Sequence, residues 1–184
     1  YLRMLRAVRF AVKLEFDIEP STWRAIVKYA PNITGISAER ITAELEQILT
    51  HPKRADGARY LVDSGLARAM FDVFEGSEAA TGISVLGQLP KAIDFGLGLG
   101  SLWAGFDTKT ALNQCKKLKL SNSLLKHVKF LLEKRDVLLD ANMPLSTLKM
   151  LMHEPYFKDL ITLQQAIQKG SGKTIGAVRR IKQQ

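Results

Sequence analysis

Apolar residues recur at spacings of three and four along nearly the whole chain, and period-two alternation bounded by turn residues is hard to find. A half-buried strand needs that alternation, whereas a helix needs one apolar stripe per turn. The pattern therefore predicts an all-α fold without a sheet, built from roughly nine or ten helices with short connectors. The expected helices are residues 1–14, EPSTWRAIVKYAP, SAERITAELEQILTHP, RADGARYLVDSGL ending on Gly65, and 67–74, 76–89, 108–118, 121–139, 145–152 and 156–167. Ser21 or Asp17 would cap the second. The third carries the fullest set of signals: Ser37 as N-cap, Glu39 where the helix dipole favours an anion, and Pro52 beyond its end. Its apolar stripe is Ile41, Leu45, Ile48 and Leu49.

Glycine (13) and proline (6) are too scarce for a disordered or fibrous chain, and 184 residues can bury a real core. Against 18 acidic residues stand 27 Lys and Arg, a net charge of +9. Such an excess favours polyanions through counterion release, which points to RNA, DNA or an anionic surface. Positive charge gathers at the two ends of the chain, and the stretch 75–105 is poor in it. Cys115 is the only cysteine, so no internal disulfide forms and a reducing compartment fits. No apolar run approaches bilayer length and no signal-peptide pattern opens the chain, so the expectation is a cytoplasmic protein without a membrane.

In the opening YLRMLRAVRFAVKLEFDI, Arg3, Arg6 and Arg9 recur every three residues between Leu2, Leu5, Val8 and Phe10. On a helix this spacing keeps the guanidiniums close to one stripe and the apolar residues on another. Each guanidinium is a planar, permanently charged fork able to bond a base edge or clamp a phosphate. Solvated arginines on an amphipathic helix are the plainer reading of the same spacing.

Other motifs carry less. GSGKT at 170–174 lacks the glycine a phosphate loop needs, because Ile167 stands there; a helix cap and basic tail fit better. GLGLG at 96–100 lacks dinucleotide spacing, and close helix packing fits it. His51, His127 and His153 are scattered and no carboxylate cluster accompanies any of them, so no metal site is expected. Cys115 reads as a half-buried structural thiol, and Trp23 and Trp103 as core or junction residues. No nucleophile, base or metal constellation stands out, so no catalytic residue is expected in this chain.

RMLRAVRFAVKLEFDI, then ISAERITAELEQIL about thirty residues on, then YLVDSGLARAMF, together resemble the class II RNA nucleotidyltransferases. These are the bacterial-type CCA-adding enzymes of tRNA and their poly(A) polymerase relatives. The motifs cover roughly the first 75 residues, and the remainder is similar only in being helical and basic. The resemblance implies a neck at 1–75 for base recognition and bracing, and an RNA-binding body and tail at 76–184. It makes Arg3 the arginine of a Glu-Asp-x-x-Arg motif whose acidic members would lie upstream of Tyr1. A guanidinium beside a carboxylate can read the amine and ring acceptor that cytosine and adenine share. Arg6 and Arg9 follow as further nucleotide-binding candidates. Glu39, Arg40 and Glu44 would brace the neck, with an ion pair from Arg40 or Glu44 back to the first helix.

The resemblance further implies addition of CCA, or of A, to RNA 3′ ends, with tRNA as the partner and ATP and CTP as substrates. Mg2+ would be held by paired aspartates in a head segment that the given residues do not include, so this chain by itself should add no nucleotides. Lys116, Lys117, Lys119, Lys126, Lys129 and Lys134, with Arg179, Arg180 and Lys182, are the candidate RNA contacts. An apolar face left on the first helix would allow a homodimer. A stand-alone helical nucleic-acid-binding module explains the charge equally, but leaves the ordered motifs unexplained; a helical protein scaffold would need an exposed apolar patch.

Overall fold

The computed structural model describes residues 1–139 and 143–171. Among them lie eleven α-helices, two short 3-10 segments and no strand. The all-α expectation holds, with more helices than the periodicity suggested. In chain order they are α1 (Leu2–Leu14), α2 (Pro20–Tyr29), α3 (Ala38–Leu49), α4 (Arg54–Asp63), α5 (Leu66–Met70), α6 (Gly76–Gly87), α7 (Phe95–Leu102), α8 (Thr108–Lys117), α9 (Asn122–Lys134), α10 (Leu145–Met152) and α11 (Phe157–Gly170).

The helix ends follow from local chemistry. Glu15 takes a left-handed conformation at the end of α1, and Gly65 does so between α4 and α5. At the start of α2 neither Ser21 nor Asp17 is the cap. Glu19 is, because Pro20 lacks an amide hydrogen and the longer carboxylate reaches the Thr22 N–H at 2.9 Å. Those contacts, above all the Ser21 hydroxyl, hold the exposed Glu19 carboxyl down at about 2. Ser37 occupies the N-cap position of α3 without a side-chain bond. The segment expected as one helix over 121–139 breaks after Lys134 and resumes as a 3-10 turn, Val137–Leu139.

One continuous apolar cluster runs from Leu2 to Ala166. α1 packs on α3 and α4, α4 packs on α6, and α6, α9 and α11 surround α7. Every residue of α7 is buried. It was not among the expected helices because a helix buried all round has no polar face and so no stripe. Its glycines do pack closely: a Cβ on Gly96 would fall on the His127 ring. Trp103, at the end of α7, is fully buried and meets Phe71, Phe74 and Phe106 edge-on at 4.9–5.2 Å. Trp23 is half-buried, edge-on to Tyr60 at 5.8 Å. Cys115 is wholly rather than half buried, and burial pushes its thiol up to about 12.

Arg54 is the largest charged group in this interior, 1% exposed. No carboxylate among the described residues meets it. Its Nε donates to Leu49 O, Nη1 to Pro90 O, and Nη2 to Lys91 O at 2.6 Å, tying the end of α3 to the turn before α7. Carbonyl acceptors are an adequate substitute because an unpaired buried guanidinium would be far costlier. Burial holds its pKa below the usual arginine value.

The α6–α7 contact is a backbone contact. A Cβ on Gly82 would lie 2.0 Å from Leu102 O, which no rotamer relieves, whereas Gly35 has open space around it. Gly82→Ala should therefore lower stability by about 1–3 kcal/mol in urea unfolding, while Gly35→Ala stays within about 0.5 kcal/mol of the parent.

Candidate nucleic-acid interface

The arginine row of α1 divides in two. Glu44, in the middle of α3, projects at α1 and is only 6% exposed. Arg6 Nε donates to its Oε1 at 3.0 Å. Arg9 Nε lies 3.2 Å from Oε2, but its N–H is not aligned with that oxygen, so the contact is an ion pair without a hydrogen bond. One carboxylate thus bridges two guanidiniums a turn apart. Of the two expected partners for α1, Glu44 makes the ion pair. Arg40 is exposed and has no ion pair among the described residues.

Arg6 keeps half of its side chain exposed, and only its Nε is bonded to Glu44. Arg9 is 24% exposed and its guanidinium lies 4.5 Å from the Phe10 ring centre. Arg3 is exposed, and no described acidic group pairs with it. It stands on the rim of a groove of about 450 Å³ between α1 and α2. Tyr1 and Tyr29 line that groove with ring centres 6.4 Å apart, and Lys28 Nζ lies 5.3 Å from the Tyr29 ring. Exposed rings beside a guanidinium supply a stacking surface and a hydrogen-bonding fork, the two things a splayed-out base requires.

The described lysine candidates lie on α8, on α9 and in the turn between them, and all are exposed. Lys119, left-handed after α8, donates to Glu39 at 3.1 Å, while Thr42 Oγ1 donates to Leu118 O at 2.8 Å. Glu39 therefore meets Lys119 and not α1. Its carboxyl is held low by its own backbone N–H and then by Lys119. Lys117 pairs with Asp72, whose carboxyl that bond lowers, and Lys129 pairs with Glu133. Lys116, Lys126 and Lys134 have no ion pair among the described residues. Arg179, Arg180, Lys182 and most of the GSGKT segment lie outside those residues.

One constellation escaped the sequence. The expectation that no carboxylates accompany a histidine fails at His127, because α7, α9 and α11 bring Asp94 and Asp159 to it. Asp159 Oδ2 lies 3.0 Å from His127 Nε2, and Asp94 Oδ1 lies 4.0 Å from Nδ1. The three are more than thirty positions apart in sequence, and nothing in their spacing signals the meeting.

Residues 15–76 match the family model described as "Probable RNA and SrmB- binding site of polymerase A". The CCA-adding enzyme of Limosilactobacillus reuteri (strain DSM 20016) is 31% identical over 134 residues, 70% of this chain and 32% of that protein. The CCA-adding enzyme of Limosilactobacillus fermentum (strain NBRC 3956 / LMG 18251) is 32% identical over 127 residues, 67% of this chain and 31% of that protein. That of Geobacillus stearothermophilus is 46% identical over 65 residues, 35% of this chain and 16% of its own length. The matched segment begins just after α1, so the three arginines of α1 immediately precede it. The chain belongs to the class II RNA nucleotidyltransferase family, and it spans about a third of the length of the longest-matching of these relatives.

Glu44→Gln should loosen α1 from α3, because it removes the charge that holds two guanidiniums together. With Arg6 half in solvent, the expected loss is about 1–3 kcal/mol in urea unfolding, less than for a fully buried pair. Arg40→Gln should leave stability within about 0.5 kcal/mol of the parent.

Proposed function

We propose that this chain is the base-recognising and RNA-holding part of an enzyme that adds CCA, or A alone, to RNA 3′ ends without a template, with tRNA as its partner. The observation that carries this reading is the division of the α1 arginines: Glu44 holds Arg6 and Arg9 in place, and Arg3 is left free beside an aromatic groove. Residues 1–75 serve base recognition and its bracing, and 76–184 hold RNA. Arg3 presents its fork to the Watson–Crick edge of the incoming base, whose amine would be met by an acidic residue upstream of Tyr1. Cytosine and adenine both offer an amine next to a ring acceptor, so one such pair serves CTP and ATP. Arg6, half exposed, lies one turn further on and suits a phosphate. Arg9 orients the helix and contributes charge. The protein works in the cytoplasm, and none of the described helices is long and apolar enough to cross a membrane.

The transfer step needs divalent metal, which fits carboxylates open to solvent. The α1 face does not fit it: it is cationic, and Glu44, the acid turned toward it, is buried and engaged by two arginines. The Mg2+ ions of the reaction would accordingly be held by other segments of the enzyme, and this chain alone adds no nucleotides.

Lysines hold the RNA through phosphates, whose contribution is electrostatic and falls with salt. Lys116 and Lys126, which pair with no acidic group among the described residues, should contribute more than the paired Lys117, Lys119 and Lys129. The double change Lys116→Glu and Lys126→Glu should weaken tRNA binding and lower the slope of log K against log salt by about 1 per lost phosphate contact. Unchanged affinity and slope would argue against a role for this face. Incubation of the chain with tRNA, labelled ATP and CTP should give no incorporation; robust addition would overturn the division of labour.

A further inference from the structure

We propose that Asp94, His127 and Asp159 form a binding site for one divalent cation of the zinc class, which fastens α11 to α7 and α9. The site uses no residue of α1 and stands apart from base recognition.

His127 is 6% exposed, and its Nε2 has no hydrogen-bond partner, although Asp159 Oδ2 is 3.0 Å away. An imidazole nitrogen and a carboxylate oxygen facing each other at this distance can share a cation as well as a proton. The His127 ring cannot easily turn to find another partner. One face lies on the backbone of Gly96, where a Cβ would stand 2.2 Å from Nδ1. The other stacks on Tyr156, ring centres 4.1 Å apart and nearly parallel at 10°.

The carboxylates are supplied by helix geometry. Asp94 caps α7, with Oδ1 accepting from the Leu97 N–H at 2.8 Å, which leaves Oδ2 uncommitted. Asp159 lies in the first turn of α11, half-buried. One ligand atom from each of the three residues lies within 4.8 Å of the others. A tetrahedral zinc ion at about 2.0–2.2 Å from each ligand sets them roughly 3.4 Å apart. The His127–Asp159 pair, at 3.0 Å, is close to that, and the wider separations, within 4.8 Å, would shorten by up to about 1.4 Å on binding. Two carboxylates this close repel each other, and a cation between them offsets that repulsion.

An imidazole with two carboxylates suits zinc or manganese better than magnesium, which prefers an all-oxygen shell with several waters. Access runs through a cleft of about 490 Å³, lined also by Glu39, Glu46 and Lys119, so that its mouth is acidic on balance.

Calorimetric titration of the 184-residue chain with Zn2+, with circular dichroism to confirm the fold, tests the site. The expected result is one zinc per chain and a melting temperature that rises with zinc concentration. Asp159→Asn, half-exposed and nearly isosteric, should fold and bind at least about tenfold more weakly. His127→Gln should abolish the thermal shift, and His153→Gln, on the exposed histidine after α10, should change neither reading. Zinc binding of equal strength in Asp159→Asn, or no saturable binding by the parent, would overturn the site. So would an imidazole NMR signal for His127 that zinc does not move.

Discussion

A single buried carboxylate determines how the first helix presents its charge. Glu44 sits where α3 faces α1, and desolvating it is tolerable only because two guanidiniums approach from one side. The pairing is reciprocal: Arg6 and Arg9 would otherwise be free to swing with solvent, and an arginine fork gains selectivity only when its backbone is fixed. The interaction contributes less to net stability than to orientation, since each charge gives up hydration to form it. What it fixes is the rotation of α1 about its own axis. With Arg6 and Arg9 turned toward α3, Arg3 is directed to the rim of the α1–α2 groove.

Beneath this pair the interior is held by unlike devices. The Arg54 guanidinium ties four carbonyls from two segments, two of them in the turn that introduces α7. The backbone contact at Gly82 and the aromatic group around Trp103 then set α6 and α7 against each other. α1 and α3 pack against this assembly through α4 and α7, so the arginine face of α1 stands directly on the buried core.

Much of this was legible in the residues, and the failures have physical reasons. α1, α3 and α4 show clear stripes because each has one face in solvent, and their ends are marked by Pro52 and Gly65. α7 shows none, because a helix surrounded on all sides can be apolar throughout, and its glycines read first as loop. The run 121–139 looked like one helix because the apolar pattern continues through the break after Lys134. At the site, the family resemblance implied an ion pair from Arg40 or Glu44 back to α1, and only the fold could say that Glu44 makes it and Arg40 is left out. Asp94, His127 and Asp159 were unreadable for a different reason: each is unremarkable in its own helix, and their relation exists only in the packing of three.

Arginine side-chain NMR during titration with CTP and ATP tests most directly whether the first helix divides its arginines between ligand and brace. The Nε–H signal of Arg3 should move progressively with nucleotide, and that of Arg9, held against Glu44, should stay in place. A stationary Arg3 signal, or equal movement of both, would contradict the account.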